Sequence, residues 1–261
     1  MTLVVSEVTG LGIVMVGDSA VTYYEAGMQR ASPGVAKVQY AEQANLGFAA
    51  WGRACVGQMP MDRWLADFIR SQIGSEDRLE TACRKLAAAL NSALSAAGPV
   101  NWNDHRRGVH VAGFVDGLPH LYHVHTGGDP SAQHELRVFR DFPFGINVTL
   151  DDYSARLRTI GGYHLRNGYH QIFGLLFDAT YRFTEQLPGL GFRWPDGTLE
   201  NRVSLYRILV QLISDVLQAD GRLPHVAGPI HALAFNETGL QIDQRGAPST
   251  AAFPCGGLAE L

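Results

Sequence analysis

Apolar runs of two different periods alternate along this chain, and their order limits the fold more than any other feature. Residues 3–8 (LVVSEV) and 12–16 (GIVMV) are β-rich and separated only by Thr9-Gly10-Leu11, which predicts an antiparallel hairpin. Further strand-like runs at 19–24 (SAVTYY), 35–40 (VAKVQY) and 46–51 (LGFAAW) extend it into a meander. The period then changes. From about Pro60 to Ile73, the residues Met61, Trp64, Leu65, Phe68 and Ile69 recur at the spacing of one helical face. A second helix is expected from an N-cap at Ser75, with Glu76 and Asp77 in its first turn, to a stop near Gly98-Pro99.

Strands return at 109–115 (VHVAGFV) and 119–125 (PHLYHVH), joined by the turn Asp116-Gly117. A long helix is predicted over about 164–186 and another over about 201–218, the latter with Val203, Leu205, Ile208, Leu209, Leu212, Ile213 and Val216 as its apolar stripe. The stretch between them, LPGLGFRWPDGT, reads as a Gly/Pro-rich loop. PIHALAF (229–235) and GLQID (239–243) close the pattern as a second hairpin. The order is therefore strands, two helices, strands, two helices, strands. Two antiparallel sheets packed face to face, with a helix pair on each outer surface, bury every one of these stripes. The expected class is α+β, a four-layer αββα sandwich, with a single domain over 1–245 and a loose tail over 246–261.

Composition narrows the function classes. The chain has 261 residues, 46% of them hydrophobic and 18% charged, and a formal net charge of −4, a globular profile without the basic excess of nucleic-acid binding. There is no apolar run long enough to span a membrane and no leader-like start, so a cytoplasmic location is expected. Three cysteines, Cys55, Cys83 and Cys255, form no CxxC pair, and they are expected to be buried apolar groups rather than a disulfide framework. Of the 21 basic residues only Lys37 and Lys85 are lysines. Lysine changes protonation when buried and arginine does not, so both positions are candidates for chemistry. Lys85, on the second helix, is expected to be a surface charge.

Thr2 follows the initiator methionine directly. Removal of Met1 makes its hydroxyl a nucleophile and its own α-amine, with a reference pKa of roughly 8, a general base near neutrality. Such a pair needs a buried cation to favour the alkoxide, a carboxylate to hold that cation, and an amide donor for the oxyanion. Asp18 ends the second predicted strand, Lys37 lies in a later one, and Gly52 follows the apolar run LGFAAW, where a glycine lets the backbone approach a reacting carbonyl.

Thr2, then Gly12-Ile13-Val14-Met15-Val16-Gly17-Asp18-Ser19, Thr22, Lys37-Val38 and Gly52 stand in the order of a known signature. The arrangement resembles the proteasome β-type branch of the N-terminal nucleophile hydrolases. Asp18 and Thr22 follow Thr2 by 16 and 20 residues, the spacing of that family. Lys37 comes later than in the family, by an insertion in GMQRASPG. Ile160-Gly161-Gly162-Tyr163 lacks the serine of the family's Gly-Ser-Gly, and Asp220-Gly221-Arg222-Leu223 replaces its Asp-x-x-Ser-Gly-Gly. Val226-Ala227-Gly228-Pro229-Ile230 looks closer to the stand-alone bacterial members, such as the HslV and Anbu types.

The resemblance implies a threonine-type peptidase without a cofactor, acting on peptides or unfolded protein inside a homo-oligomeric ring. It assigns Thr2 as nucleophile, Lys37 as the cation, Asp18 as its orienting carboxylate, Gly52 N–H as oxyanion donor and Thr22 as a main-chain substrate contact by strand addition. No sequence motif marks an ATPase partner. A transpeptidase using the same threonine, and an inactive scaffold that keeps Met1, remain open alternatives. His110, His120, His123 and His125 fall on two paired strands, and are expected to be sheet or interface residues rather than metal ligands, since no acidic or cysteine ligand joins them. Met59, Met61, Trp64 and Phe68 are expected in the core or at a contact between subunits.

Overall fold

The computed structural model describes residues 3–25, 28–32, 34–96, 107–126, 137–140, 155, 157, 162–168, 170–186, 197–221 and 226–250. One five-stranded antiparallel sheet is built from β1 (Leu3–Thr9), β2 (Gly12–Gly17), β12 (Tyr163–Gly168), β13 (His231–Asn236) and β14 (Gly239–Gln244), in the order β12-β1-β2-β13-β14. The second contains β5 (Val38–Ala41), β6 (Leu46–Gly52), β9 (Arg107–Val115), β10 (Leu118–His125) and β11 (Arg137–Arg140), in the order β11-β10-β9-β6-β5. Two small hairpins stand apart, β3 (Val21–Glu25) with β4 (Met28–Ser32), and β7 (Cys55–Val56) with β8 (Met59–Pro60).

The period-2 alternation of the central strands sorts their side chains into two cores. On β1 and β2, Val4, Val8, Ile13 and Met15 point between the sheets, where they meet Val38, Ala49 and Phe235. Leu3, Val5, Val14 and Val16 point the other way, onto helices α3 (His170–Gln186) and α4 (Leu199–Ala219). Both faces being covered, β1 is buried at every residue, which is why these strands read as continuous apolar runs. The second sheet covers its outer face with α1 (Met61–Gln72) and α2 (Leu79–Ala96), through Leu65, Phe68, Leu86 and Leu90. The result is the expected four-layer αββα sandwich. Gly47 sets the closeness of the sheets: a Cβ there would lie 2.6 Å from Met15 Sδ and 2.8 Å from the Phe235 ring.

Several expectations are corrected. Residues 163–168 form strand β12 at the edge of the first sheet, paired with β1 from Leu3↔Gly168 to Val8↔Tyr163, and the helix starts only at His170. Backbone pairing with β1 outweighs the weak helical periodicity of that stretch. The second helix begins at Leu79, and Ser75-Glu76-Asp77 form the turn before it, with Asp77 Oδ2 accepting the Gly74 amide at 2.8 Å. Lys85 is the surface charge expected, its side chain 40% exposed, and it also donates to Asp77 Oδ2 at 2.7 Å and to the Gln72 carbonyl at 3.0 Å, tying α2 to the end of α1. Cys55 is disulfide-bonded while Cys83 is a free, buried thiol; Cys255 lies outside the described residues. On α4, Ile208, Leu212 and Val216 of the predicted stripe face outward. The buried stripe instead runs through Val203, Tyr206, Leu209, Val210, Ile213 and Leu217.

Candidate active site

Asp18 follows the last residue of β2 and is fully buried. Its carboxylate collects donors from four separate segments. Oδ1 accepts the Leu3 amide at 2.8 Å and the Lys37 ammonium at 2.7 Å; Oδ2 accepts the Ala20 amide at 3.0 Å and the Ala227 amide at 3.3 Å. A charge held by this many donors is stabilised where water cannot reach it. Lys37 is 6% exposed. Burial pulls its pKa down from the ordinary lysine value, while the adjacent Asp18 charge opposes that shift. The lysine is thus closer to giving up a proton than a solvated one.

The ladder between β5 and β6 brings Gly52 toward this pair. Val38 stands opposite Ala49, and the Ala50 amide donates to the Lys37 carbonyl at 2.8 Å. Gly52 lies two residues further along β6, exposed, with φ +89°, the left-handed region that glycine adopts without a Cβ clash. Two side-chain bonds hold its flanks. The Trp51 indole donates to His123 Nε2 at 2.8 Å, and buried Arg107, opposite Gly52 in the ladder, donates to the Cys55 carbonyl at 2.9 Å. Because an indole only donates, His123 is neutral and carries its proton on Nδ1.

Residues that the sequence did not mark complete the surroundings. Asp62, in the first turn of α1 and 1% exposed, accepts the Ala36 amide at 3.2 Å and so holds the segment entering Lys37. It also accepts the Ser249 amide at 2.6 Å, which fixes the start of the tail. His231, opposite Gly17 in the β2–β13 register, is buried, and its Nδ1 finds no hydrogen-bond partner among the described residues. Burial first, and then the Lys37 charge, lower its pKa. The Ala227 amide belongs to the VxGPI segment, so the one signal for that contact was the run of Gly228 and Pro229.

Of the expected site residues, the structure brings Asp18 and Lys37 into direct contact and places Gly52 on the same end of the sandwich. Thr22 lies on β3, paired with Ala31; its side chain lies outside the described residues, as do Met1 and Thr2. Among the described residues no group of three or more His, Cys, Asp or Glu is placed to hold a metal. His110 spends its two ring nitrogens on Ser6 Oγ at 2.9 Å and Asn167 Oδ1 at 2.6 Å. His120 stands opposite Gly113, away from the His110–His123 pair.

No family model and no curated protein matches the chain. Solved structures do. Anbu, an ancestral β-subunit from Yersinia bercovieri, superposes with a TM-score of 0.56 at 12% identity, over 96% of this chain and 88% of that one. A Gly-1 mutant of Anbu from Hyphomicrobium sp. strain MC1 gives 0.54 at 12% identity, over 95% and 87%. A second structure of that organism's Anbu gives 0.51 at 13%, over 94% and 87%. With nearly the full length of each chain covered, this protein has the proteasome-like α+β fold of the bacterial Anbu structures.

Proposed function

We propose that this protein is a threonine-type amide hydrolase of the N-terminal nucleophile kind, using Thr2 after removal of Met1. The observation that carries the reading is the shared oxygen of Asp18, which binds the buried Lys37 ammonium and the Leu3 amide together. Thr2 is one peptide bond from that amide. In this reading the Thr2 hydroxyl attacks a substrate carbonyl and its proton passes to the Thr2 α-amine. Lys37 lowers the cost of the alkoxide by its charge, Asp18 holds Lys37 in place, and the Gly52 amide meets the developing oxyanion. The collapsing intermediate takes the proton back on the leaving amine, and water then repeats the sequence on the acyl-threonine.

The substrate class that suits this chemistry is a peptide or unfolded protein, laid in extended form along β3 at Thr22. The fold neighbours support a proteasome-like homo-oligomer. The test is the intact mass of the purified protein before and after a peptide epoxyketone, which reacts with a hydroxyl and a free α-amine together. Loss of Met1 and a single adduct, absent in Thr2→Ala, is the expected result. Retained Met1 with no adduct overturns the reading.

A further inference from the structure

Beyond β14 the chain runs without regular structure from Arg245 to Thr250, and three contacts hold this strap beside the Asp18–Lys37 pair. Arg245 donates to both carboxylate oxygens of Asp243, at 2.7 and 2.6 Å, and its guanidinium lies 5.6 Å from the centre of the Tyr40 ring. Gly246 lies against His231 so closely that a Cβ there would collide with the imidazole. The Ser249 amide donates to Asp62 Oδ2 at 2.6 Å, the same oxygen that accepts the Ala36 amide. His231 and Asp62 both border Lys37. His231 stands opposite Gly17, one residue before Asp18, and feels the Lys37 charge; Asp62 holds the residue before Lys37. The strap therefore braces the lysine from two sides.

The cysteines bear on what keeps the strap there. Cys55 is disulfide-bonded and Cys83 is a free, buried thiol. In a chain with three cysteines, Cys255 is the one left to pair with Cys55. The path of the strap agrees. Cys55 stands opposite Pro60 in the β7–β8 hairpin, and Asp62, which binds Ser249, is two residues past Pro60. Cys255 is six residues beyond Ser249, a length of chain that reaches about 20 Å when extended. Cys55 is itself buried against Val21 and Val35, which neighbour Thr22 and the segment entering Lys37. A bond to Cys55 thus ends the strap against the site it braces.

We infer that Cys255 is the partner of Cys55, and that their disulfide is a clasp that keeps the strap on His231 and Asp62 and so positions Lys37. The positioning serves the reaction proposed above and rests on that reading; the pairing and the clasp do not. Reduction by a dithiol breaks the S–S bond, leaves a thiol on each cysteine and oxidises the dithiol to its own disulfide. Proteolysis of the chain, purified without reductant and denatured, is expected to yield one linked pair by mass spectrometry, Cys55 with Cys255 of a single chain. A link through Cys83, or a free thiol at Cys255, overturns the pairing. Hydrogen exchange then compares the wild type, before and after dithiothreitol, with Cys255→Ser. With the clasp open, the Ser249 and Ala36 amides are expected to exchange about tenfold faster or more, while the amides of β9 stay protected and verify the fold. Dithiothreitol should add nothing in Cys255→Ser. Unmoved exchange at Ser249 and Ala36 overturns the clasp. Turnover by Cys255→Ser is expected to show a lower kcat with KM little changed. Equal kcat, in a chain whose Thr2 takes up the epoxyketone, overturns the positioning of Lys37. Faster exchange without any adduct supports the clasp and removes the Thr2 reading instead.

Discussion

The Lys37 ammonium lies 2.7 Å from Asp18 Oδ1, with side-chain exposures of 7% and 0%. This pair is worth little as a pair, because both charges are stripped of water; its weight is that neither partner survives alone. Asp18→Asn therefore leaves a buried cation, and is expected to cost about 3 kcal/mol in a urea denaturation series. Adding Lys37→Met removes that cation, and should recover most of the stability while turnover stays lost. Equal turnover in wild type and double variant would separate the pair from catalysis.

Gly52→Ala puts a Cβ where φ is +89°, at a strain of about 1 kcal/mol. The position is exposed, so folding persists with a small drop in Tm. If the Gly52 amide serves the oxyanion, kcat falls by roughly a hundredfold or more with KM little changed, the usual loss on disturbing one such donor. A KM-only effect would assign the turn to substrate binding.

Trp51 and His123 give a third prediction. His123→Leu strands a half-buried indole N–H, costing about 1 kcal/mol, and His123→Gln restores an acceptor. The Trp51 indole proton is expected downfield in the NMR spectrum of the wild type and the glutamine variant, and shifted upfield in the leucine variant. An unshifted resonance in His123→Leu would show that the bond does not form in solution.

Acid should weaken the fold over a definite window. Burial holds His110 and His164 down at about 4, from the ordinary histidine value of 6.5, and pulls His123 lower still. Below 6.5 the unfolded chain takes protons that the folded chain refuses, so stability is lost as pH falls from about 6.5 toward 4. Glu7 opposes this. Burial pushes its carboxyl up to about 7 from 4.5 against the opposing pull of Arg202 and Tyr206, so its contribution is lost as pH rises through that range. Three histidines outweigh one carboxyl. Thermal melts should show Tm rising between pH 4.5 and 6.5, and a flat or falling profile would contradict this balance.

Thiol titration checks the cysteines. With Cys55 in a disulfide and Cys83 buried, burial raises the Cys83 thiol pKa and slows its reaction. The native chain is expected to react negligibly, the unfolded chain to show about one thiol, and the reduced, unfolded chain about three.

The layers and their order were legible because burial writes itself into local pattern. The β1–β2 hairpin, the β9–β10 hairpin and the core face of α1 each follow from spacing alone. Asp18, Lys37 and Gly52 were legible as candidates because lysine is scarce here and glycine ends an apolar run. Strand β12 was not, since Tyr163–Gly168 pairs with residues some 160 positions away, and that partner, rather than any local preference, decides its state. The bonds of Asp62 to Ala36 and Ser249, of Trp51 to His123, and of Ala227 to Asp18 have the same character. The outward turn of Ile208, Leu212 and Val216 does too: periodicity reports that α4 has apolar residues, and only the position of the sheet decides which of them it covers.

By itself, then, the sequence determined most of the strands and helices, with β12 the exception, the order in which the layers stack, and which few residues are chemically capable, because these rest on period and residue type. The tertiary structure decided which capable residues meet, which charges lose their water, and which apolar faces are left uncovered. Those depend on contacts between segments far apart in the chain, where the free energy of burial is settled and local pattern carries no information.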